Sequence, residues 1–223
     1  LHQSGIPYAI LLQGKELSYN NINDADAALQ LIKEFEKEIP TVAIIKHANP
    51  CGVASGSTLQ EAYTKALSCD TTSAFGGIIA LNQTIDKDSA EQIVKIFTEV
   101  IIAPGITDEA KAIFKTKNNL RVLILASLHE KNNSQNFKSI EGGILVQSND
   151  DKKTNTSDLK VVTEKKPSDS EIEDMLFAFK VCKHVKSNAI IYVKNKKTIG
   201  IGAGQMSRID SAKIASQKNS EME

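Results

Sequence analysis

The sequence is poor in the features that mark several common classes of protein. It contains three cysteines, Cys51, Cys69 and Cys182, and no C-x-x-C pair, which indicates neither a disulfide framework nor a structural zinc site. No apolar run approaches the roughly 18 residues that a membrane helix needs, and the first residues lack the charged and apolar regions of a signal peptide. These absences predict a protein of the reducing cytoplasm without a membrane partner.

Excess charge is also absent, and arginine is scarce. The 27 basic residues balance 27 acidic residues, so the formal net charge is zero and a nucleic-acid partner is not indicated. Only Arg121 and Arg208 are arginines. Because the planar guanidinium is the preferred fork for phosphate or carboxylate, each of these positions is a candidate anion contact.

The remaining composition is that of an ordinary globular protein, with 41% hydrophobic and 24% charged residues. Through the first 125 residues, short apolar runs alternate with segments of helical periodicity, which predicts an α/β fold. Two of these runs, 8–12 and 41–46, flank a helix for which Asp24 is the predicted N-cap, and this β-α-β order favours a parallel pair of strands. Residues 52–56 are predicted to form a small-residue loop, and Thr58 and Glu61 a capping box.

The rest of the chain divides at changes in composition. We predict a first α/β subdomain at residues 1–125, a polar connector with short strands at 126–167, and the start of a second α/β subdomain at 168–223. The predicted strands after residue 56 are 78–81, 100–103, 120–125, 142–147, 159–163, 189–194 and 198–201. The predicted helices are 58–68, 86–97, 107–115, 168–185 and 207–217.

Lys46 and His47 are the strongest catalytic candidates. They end a buried-type strand and precede a turn at Asn49-Pro50, and ligands of open α/β sheets collect just outside the carboxyl ends of strands. An adjacent ammonium favours the neutral, basic form of an imidazole. His47 is therefore suited to general-base chemistry near pH 7, and Lys46 to stabilising negative charge. A histidine hydrogen-bonded within a turn is the simpler alternative.

A second informative stretch is glycine-rich. Gly200, Gly202 and Gly204 lead from a strand into a helix that starts near Ser207, and Arg208 lies at this start. Free N–H groups at a helix start attract anions, although the spacing is neither G-x-G-x-x-G nor a Walker loop. The alternative is a tight turn with a surface arginine. Asn188 has a comparable alternative as a helix C-cap.

Zinc is not expected. Cys51 follows Pro50 as in the Pro-Cys-x-x-Cys motif of zinc deaminases, but Ala54 occupies the place of the second cysteine. The sequence also contains no His-x-Glu partner for such a site.

Taken together, these motifs resemble the AICAR transformylase part of the bifunctional purine biosynthesis proteins. The resemblance covers essentially the whole chain, with the motifs in the same order. They are KHANPCG at 46–52, SAFGG at 73–77, IIAPG at 101–105, KSNAI at 186–190 and GIGAGQMSR at 200–208, together with QGKELSYNN at 13–21.

The resemblance implies a cytidine-deaminase-like three-layer α/β fold, duplicated in the family, with the second copy incomplete here. It implies transfer of the formyl group of 10-formyltetrahydrofolate to the 5-amino group of AICAR, a purine-pathway ribonucleotide. Family members are homodimers with active sites at the subunit interface and use no zinc. They also carry an IMP cyclohydrolase domain, which this sequence is expected to lack.

The resemblance also implies roles for individual residues. His47 matches the proton acceptor and Lys46 the group that stabilises the transition state, and Glu99 stands where some members have Asp. Matches to AICAR-contacting positions are Gly76, Glu99, Asn188 and Arg208, and Ile209 matches a folate-contacting position. The alternatives are a zinc-free deaminase relative acting on a nucleobase, and a nucleotide-binding or oligomerisation module without catalysis. The presence of Lys46, His47 and Arg208 favours the transferase over the module without catalysis.

Overall fold

The computed structural model describes residues 4–128, 130 and 135–220. Within these residues, no helix is long and apolar enough to cross a membrane. The strands are β1 (Ile10–Gln13), β2 (Thr41–Lys46), β3 (Asn49–Ser55), β4 (Gly77–Leu81), β5 (Thr98–Ala103), β6 (Arg121–Ile124), β7 (Gln135–Ile140), β8 (Gly143–Ser148), β9 (Ile190–Lys194) and β10 (Lys197–Gly202). The helices are α1 (Tyr19–Ile32), α2 (Leu59–Leu67), α3 (Thr71–Ala74), α4 (Lys87–Ile93), α5 (Asp108–Phe114), α6 (Asp169–Cys182) and α7 (Arg208–Ser220), with 3-10 turns at Ile6–Tyr8 and Thr156–Asp158.

Eight strands form one mixed sheet in the order β1-β6-β5-β4-β2-β3-β10-β9. Strands β4, β5 and β6 run parallel, and every other neighbouring pair in this sheet is antiparallel. The predicted parallel pairing of the first two strands is wrong, because β1 pairs with β6 at one edge while β2 lies between β3 and β4. Burial explains the difference: β1 is largely exposed, as suits an edge strand, whereas β2 is buried on both faces.

Helices cover both faces of this sheet, as expected for an α/β fold. Along β2, Ala43 and Ile45 pack in the hydrophobic cluster under α1 and α6, while Val42 and Ile44 pack in the cluster under α2, α4 and α5. Each fully buried Ile or Leu contributes about 1.5–3 kcal/mol relative to an exposed side chain. The continuous apolar runs of the central strands therefore follow from burial on both faces.

Residues 52–56 are not the predicted loop, because β3 continues through Ser55. A Cβ atom at Gly52 would lie 1.9 Å from the carbonyl oxygen of Ala66, so glycine allows α2 to lie directly against β3. Thr58 caps α2 as predicted, by accepting a hydrogen bond from the Glu61 N–H. The Glu61 carboxylate, however, accepts from the Ser57 N–H and hydroxyl and does not complete a capping box with Thr58.

The predicted N-cap at Asp24 is wrong. Helix α1 begins at Tyr19, and Ser18 is its N-cap in a reciprocal capping box with Asn21. Asp24 therefore lies inside the helix, where its carboxylate contacts another part of the chain.

The last part of the chain follows its sequence pattern closely. Ser168 caps α6, β9 and β10 form the predicted hairpin, and α7 begins within one residue of the predicted start. These two strands join the same sheet as the strands of residues 1–125, through antiparallel pairing of β10 with β3.

One arrangement occurs twice, and we call it the helix–hairpin–helix unit. It comprises α1, β2, β3 and α2 in the first case and α6, β9, β10 and α7 in the second. Helices α1 and α6 both have 14 residues and a serine N-cap with a capping box. The final helix of each unit rests on strand glycines, since Cβ atoms at Gly200 and Gly202 would lie 2.0 and 1.9 Å from carbonyl oxygens of α7.

The connector contains a hairpin separate from the main sheet. The predicted strand at 142–147 is present as β8, and it pairs with β7, which was not predicted. The large apolar residues of β7 are Phe137 and Ile140, so the strand lacks the alternation of apolar and polar residues from which a strand is predicted. The predicted strand at 159–163 is wrong, since these residues have no regular secondary structure.

A charged cluster joins the ends of α1 and α6. Glu34 Oε1 lies 2.8 Å from Lys183 Nζ and 3.1 Å from His184 Nε2, and all three side chains are largely buried. Burial raises the pKa of Glu34, but hydrogen bonds and charge from His184 and Lys183 outweigh it, so that its pKa is lowered. The cluster therefore stabilises the fold above the ordinary pKa of glutamate, and this stability is lost as the pH falls through the lowered folded-state pKa.

Replacing Glu34 with glutamine should lower the free energy of unfolding at pH 7 by about 1–2 kcal/mol, because charge-assisted hydrogen bonds are lost. The variant should also lose less stability than the parent when the pH is lowered from 6 to 3, because it has no Glu34 carboxylate to protonate. Urea unfolding at several pH values measures both effects. Glu38→Gln is the matched control, since the ion pair of Glu38 among the described residues is a surface contact with Lys37. An equal pH dependence in the Glu34 variant and the parent would contradict the prediction.

Candidate functional site

The site is built around the two-residue turn between β2 and β3. His47 and Ala48 have positive φ values of 54° and 55°, as a tight hairpin turn requires. The Asp24 carboxylate accepts hydrogen bonds from both backbone N–H groups, at 2.7 Å from His47 N and 3.0 Å from Ala48 N. A side chain from α1 thus fixes the backbone on which His47 stands.

Asn49 fixes the same turn from its other end. Its amide nitrogen donates to the His47 carbonyl at 3.2 Å, and its amide oxygen accepts from the Lys186 N–H at 3.0 Å. The turn is consequently tied both to α1 and to the segment that follows α6.

A cavity of about 450 Å³ lies against this turn, within the range of small-molecule sites. The His47 side chain is exposed there, and among the residues that the structure describes its imidazole has no hydrogen-bond partner. Lys46 Nζ donates to the Phe75 carbonyl at 2.7 Å. The cavity is lined by Lys46, His47, Asn49, Pro50, Cys51, Asp70, Ser73, Ile201, Ala203, Gln205, Ile214 and Lys218.

The sheet edge at this cavity differs from the predicted one. It includes the carboxyl ends of β2 and β10, as expected, but also the amino end of β3, because β3 runs antiparallel to β2. The site is therefore at a mixed edge and not at the carboxyl edge of a parallel sheet.

Gly76 and Glu99 lie near the amino ends of β4 and β5, outside the cavity lining. Gly76 has a positive φ of 73°, and its N–H donates to the Phe97 carbonyl at 2.8 Å. Glu99 Oε2 accepts from Arg121 Nη1 at 2.9 Å, so one of the two arginines is used in an ion pair.

Asn188 supports the loop that forms one wall of the cavity. Its amide nitrogen donates to the carbonyl oxygens of Gln205 and Met206 at 3.0 and 2.9 Å, and its own carbonyl accepts from the Ser211 hydroxyl. It is not the C-cap of α6, which is Lys183. Asn188 does not itself line the cavity.

Arg208 and Ile209 are the first residues of α7, and both are exposed. Neither is among the residues that line the cavity, although Gln205 and Ile214 on either side of them are. Gly204, with a φ of 68°, turns the chain between β10 and this helix. The structure thus brings Lys46 and His47 together in the cavity and leaves the other predicted contacts around it.

Asp70 and Lys218 form an ion pair in the cavity wall that sequence reasoning missed. Asp70 also caps α3 by accepting from the Ser73 N–H at 2.9 Å. The partners are 148 residues apart, and no local pattern signals such a pair. The contact joins the end of the first helix–hairpin–helix unit to the last helix of the second.

Cys51 lines the cavity as a neutral thiol. Burial raises its pKa to about 11, despite the opposing influence of Lys218 and Lys46. A thiol with this pKa is almost entirely protonated near pH 7, so Cys51 is not an activated nucleophile. Within the described part of the chain, no group of three or more His, Cys, Asp or Glu side chains is placed to hold a metal ion.

Comparison with known proteins adds independent information. Residues 2–218 match the family described as the AICARFT/IMPCHase bienzyme. Similar proteins, each named bifunctional purine biosynthesis protein PurH, occur in Parvibaculum lavamentivorans (59% identity over 219 residues), Agrobacterium fabrum (60% over 216) and Ruegeria sp. (60% over 220). These matches cover 97%, 96% and 98% of this chain but 41%, 40% and 42% of the relatives. The chain spans about two fifths of the length of the relatives it matches.

Proposed function

Because this chain belongs to the AICARFT/IMPCHase bienzyme family, we propose that it carries formyl transfer from 10-formyltetrahydrofolate to the 5-amino group of AICAR, in the formation of IMP. The observation that carries the proposal is the exposed imidazole of His47, next to Lys46, on a braced turn that faces a cavity of about 450 Å³. Cyclohydrolase activity is assigned to the part of the longer relatives that this chain does not cover.

His47 acts as the general base. The amine of AICAR is a weak nucleophile because its lone pair is delocalised into the imidazole and the carboxamide. A base must therefore remove a proton as nitrogen attacks the formyl carbon, and an unpartnered imidazole in the cavity wall is placed for that transfer. The new N–C bond forms, the bond from the formyl carbon to the folate nitrogen breaks, and that nitrogen takes up a proton.

Lys46 stabilises the oxyanion of the tetrahedral intermediate. Its ammonium is held in the cavity wall by the Phe75 carbonyl, so little reorganisation is needed when charge develops. Preorganised donors of this kind are typically worth about 3–4 kcal/mol in the transition state.

The nucleotide is held by the residues that surround the cavity. Arg208 supplies an exposed guanidinium at the start of α7, and Asn188 shapes the loop that includes Gln205. Gly76 and Glu99 contact AICAR from the β4 and β5 side. Ile209, whose side chain is 65% exposed, packs against the folate.

The repeated helix–hairpin–helix unit supports the finer fold assignment. Two units of the same order, with capped helices of equal length and equivalent helix–glycine contacts, lie side by side through β3 and β10. We interpret them as the two copies of a duplicated cytidine-deaminase-like fold.

A homodimer in the cytoplasm is part of the same proposal. The β7–β8 hairpin has exposed apolar side chains, including Phe137 and Ile144, and an isolated two-stranded hairpin is at best marginally stable in water. A second subunit would cover such a surface. The unpaired state of the three cysteines supports a reducing compartment.

The experiment is an assay of formyl-AICAR production by the purified protein that contains this chain, combined with calorimetric titration of AICAR. Turnover that requires both AICAR and 10-formyltetrahydrofolate supports the proposal. Binding of AICAR without turnover supports a nucleotide-binding module instead. Stoichiometric zinc in the purified protein would favour a deaminase.

Replacing Arg208 with alanine should raise the KM for AICAR at least about 10-fold, because hydrogen bonds to charged groups contribute about 1.5–3 kcal/mol. Lys213→Ala is the matched control, as it removes an exposed cation from the same helix. Steady-state kinetics with varied AICAR measure the effect. Equal KM values for the two variants would exclude Arg208 from the nucleotide site.

A further inference from the structure

We propose that Asp24 is a positioning residue for catalysis, which holds the His47 turn so that the imidazole stays in the cavity wall. The inference rests on the proposed function and deepens it, because it identifies which group orients the general base. Asp24 is not itself in the cavity lining, so it positions the imidazole through the backbone of the His47–Ala48 turn.

The contact is short and involves both turn residues. One carboxylate oxygen of Asp24 accepts from His47 N at 2.7 Å, and the other accepts from Ala48 N at 3.0 Å. These N–H groups belong to two successive non-glycine residues with positive φ, a conformation that costs about 1–2 kcal/mol per residue. A charged acceptor for both N–H groups offsets that cost and specifies one turn conformation.

Asp24 is itself firmly placed. It lies within α1, six residues after the Ser18 N-cap, and α1 contacts β2. Ala28, Leu29 and Ile32 of α1 are fully buried in the hydrophobic cluster that contains Ala43 and Ile45 of β2. The position of the turn is therefore fixed by a helix that is anchored in the core, and not by other loop residues. A displacement of about 1 Å at a reacting group can cost 100-fold in rate, which is why such a brace bears on catalysis.

The second helix–hairpin–helix unit contains the same brace without the catalytic residue. Asp174, six residues after the Ser168 N-cap of α6, accepts from Asn195 N at 2.8 Å and Lys196 N at 2.7 Å. Asn195 and Lys196 have φ values of 54° and 53°. This turn is not among the residues that line the cavity, so Asp174 performs the structural part of the role alone.

The two aspartates provide a matched experiment within one molecule. Asp24→Ala and Asp174→Ala each remove a brace of the same geometry, so both should lower the free energy of unfolding by a similar amount. Only Asp24→Ala should reduce kcat for formyl transfer, by about 10-fold, with the KM for AICAR unchanged. Asp24→Asn keeps one acceptor oxygen and should recover part of the loss.

Kinetics of the protein that contains this chain are measured at a temperature where both variants are folded, as checked by circular dichroism. Equal kcat values for Asp24→Ala and Asp174→Ala would overturn the proposal, as would a loss that appears in KM alone. NMR provides a second readout, through the chemical shifts of the His47 ring and the hydrogen-exchange rates of the His47 and Ala48 amides. Faster exchange and a changed ring environment are expected only in the Asp24 variants.

The NMR readout separates failure of this inference from failure of the proposed function. If the parent protein shows no formyl transfer, the proposed function fails. The positioning role of Asp24 is then tested by comparing the NMR signals of the His47 ring in the parent and in Asp24→Ala. An unchanged His47 ring environment in Asp24→Ala overturns the positioning, whether or not the parent is active.

Discussion

Replacing His47 with alanine should lower kcat for formyl transfer at least about 100-fold, because a general base typically contributes a factor of 10² to 10⁴. The imidazole is exposed and, within the described residues, makes no hydrogen bond that holds the fold together. The free energy of unfolding should therefore stay close to that of the parent. Single-turnover kinetics with saturating AICAR and 10-formyltetrahydrofolate isolate the chemical step.

His184→Gln is the control for the loss of a histidine. His184 contacts Glu34 at the ends of α1 and α6, so its replacement should reduce stability while kcat is retained. Near-normal turnover of the His47 variant would remove His47 from the mechanism. A loss in both histidine variants that tracks their stability would show that the defect lies in folding and not in proton transfer.

Replacing Gly202 with alanine should destabilise the protein by about 3 kcal/mol or more, a large part of the roughly 5–15 kcal/mol that stabilises a typical domain. The added Cβ would lie 1.9 Å from the carbonyl oxygen of Ser211 and 2.6 Å from its carbonyl carbon. Both atoms belong to the backbone of α7, so no side chain can rotate away. Either the helix moves off β10 or the strand bends.

Movement of α7 would also affect the cavity, because Ile214 and Lys218 of this helix lie in its wall. Weaker binding of AICAR should therefore accompany the loss of stability. Gly143→Ala is the control, since its Cβ would meet only the Ile140 side chain, at ordinary contact distances of 3.8 and 3.9 Å. Urea unfolding and calorimetry measure the two effects, and a change below 1 kcal/mol for Gly202→Ala would contradict the packing argument.

Much of the secondary structure follows from local signals in the sequence. Helix α6 has a serine cap, acidic residues in its first turn and apolar residues at helical spacing, and all of these act within a few residues of one another. Strand order depends on contacts that local patterns do not contain. The segment from β1 to β2 has the form of a β-α-β unit, yet β1 lies at an edge beside β6, which comes about 110 residues later.

The residues of the candidate site likewise divide into those that local sequence signals indicate and those that depend on distant contacts. Lys46 and His47 could be identified because they are adjacent and end a strongly apolar strand. Asp24 could not, since an aspartate in a polar segment reads as a helix cap, and only the capping by Ser18 places it inside α1. The catalytic roles of Lys46 and His47 and the contacts of Gly76, Glu99, Asn188, Arg208 and Ile209 all remain predictions, because they require a bound nucleotide or folate to be observed.

The two braced turns also bear on how an active site can arise in a fold. Lys194 ends β9 as Lys46 ends β2, and Asn195 occupies the place that His47 occupies. A single residue type therefore distinguishes the second turn from a lysine–histidine pair on the same backbone. The fold contains the aspartate-braced turn twice, once with a histidine and once with an asparagine, and only the turn with the histidine lies in the wall of the cavity. For enzyme design, the second turn offers a backbone of the same geometry, braced by Asp174, at which the effect of a histidine can be tested by Asn195→His.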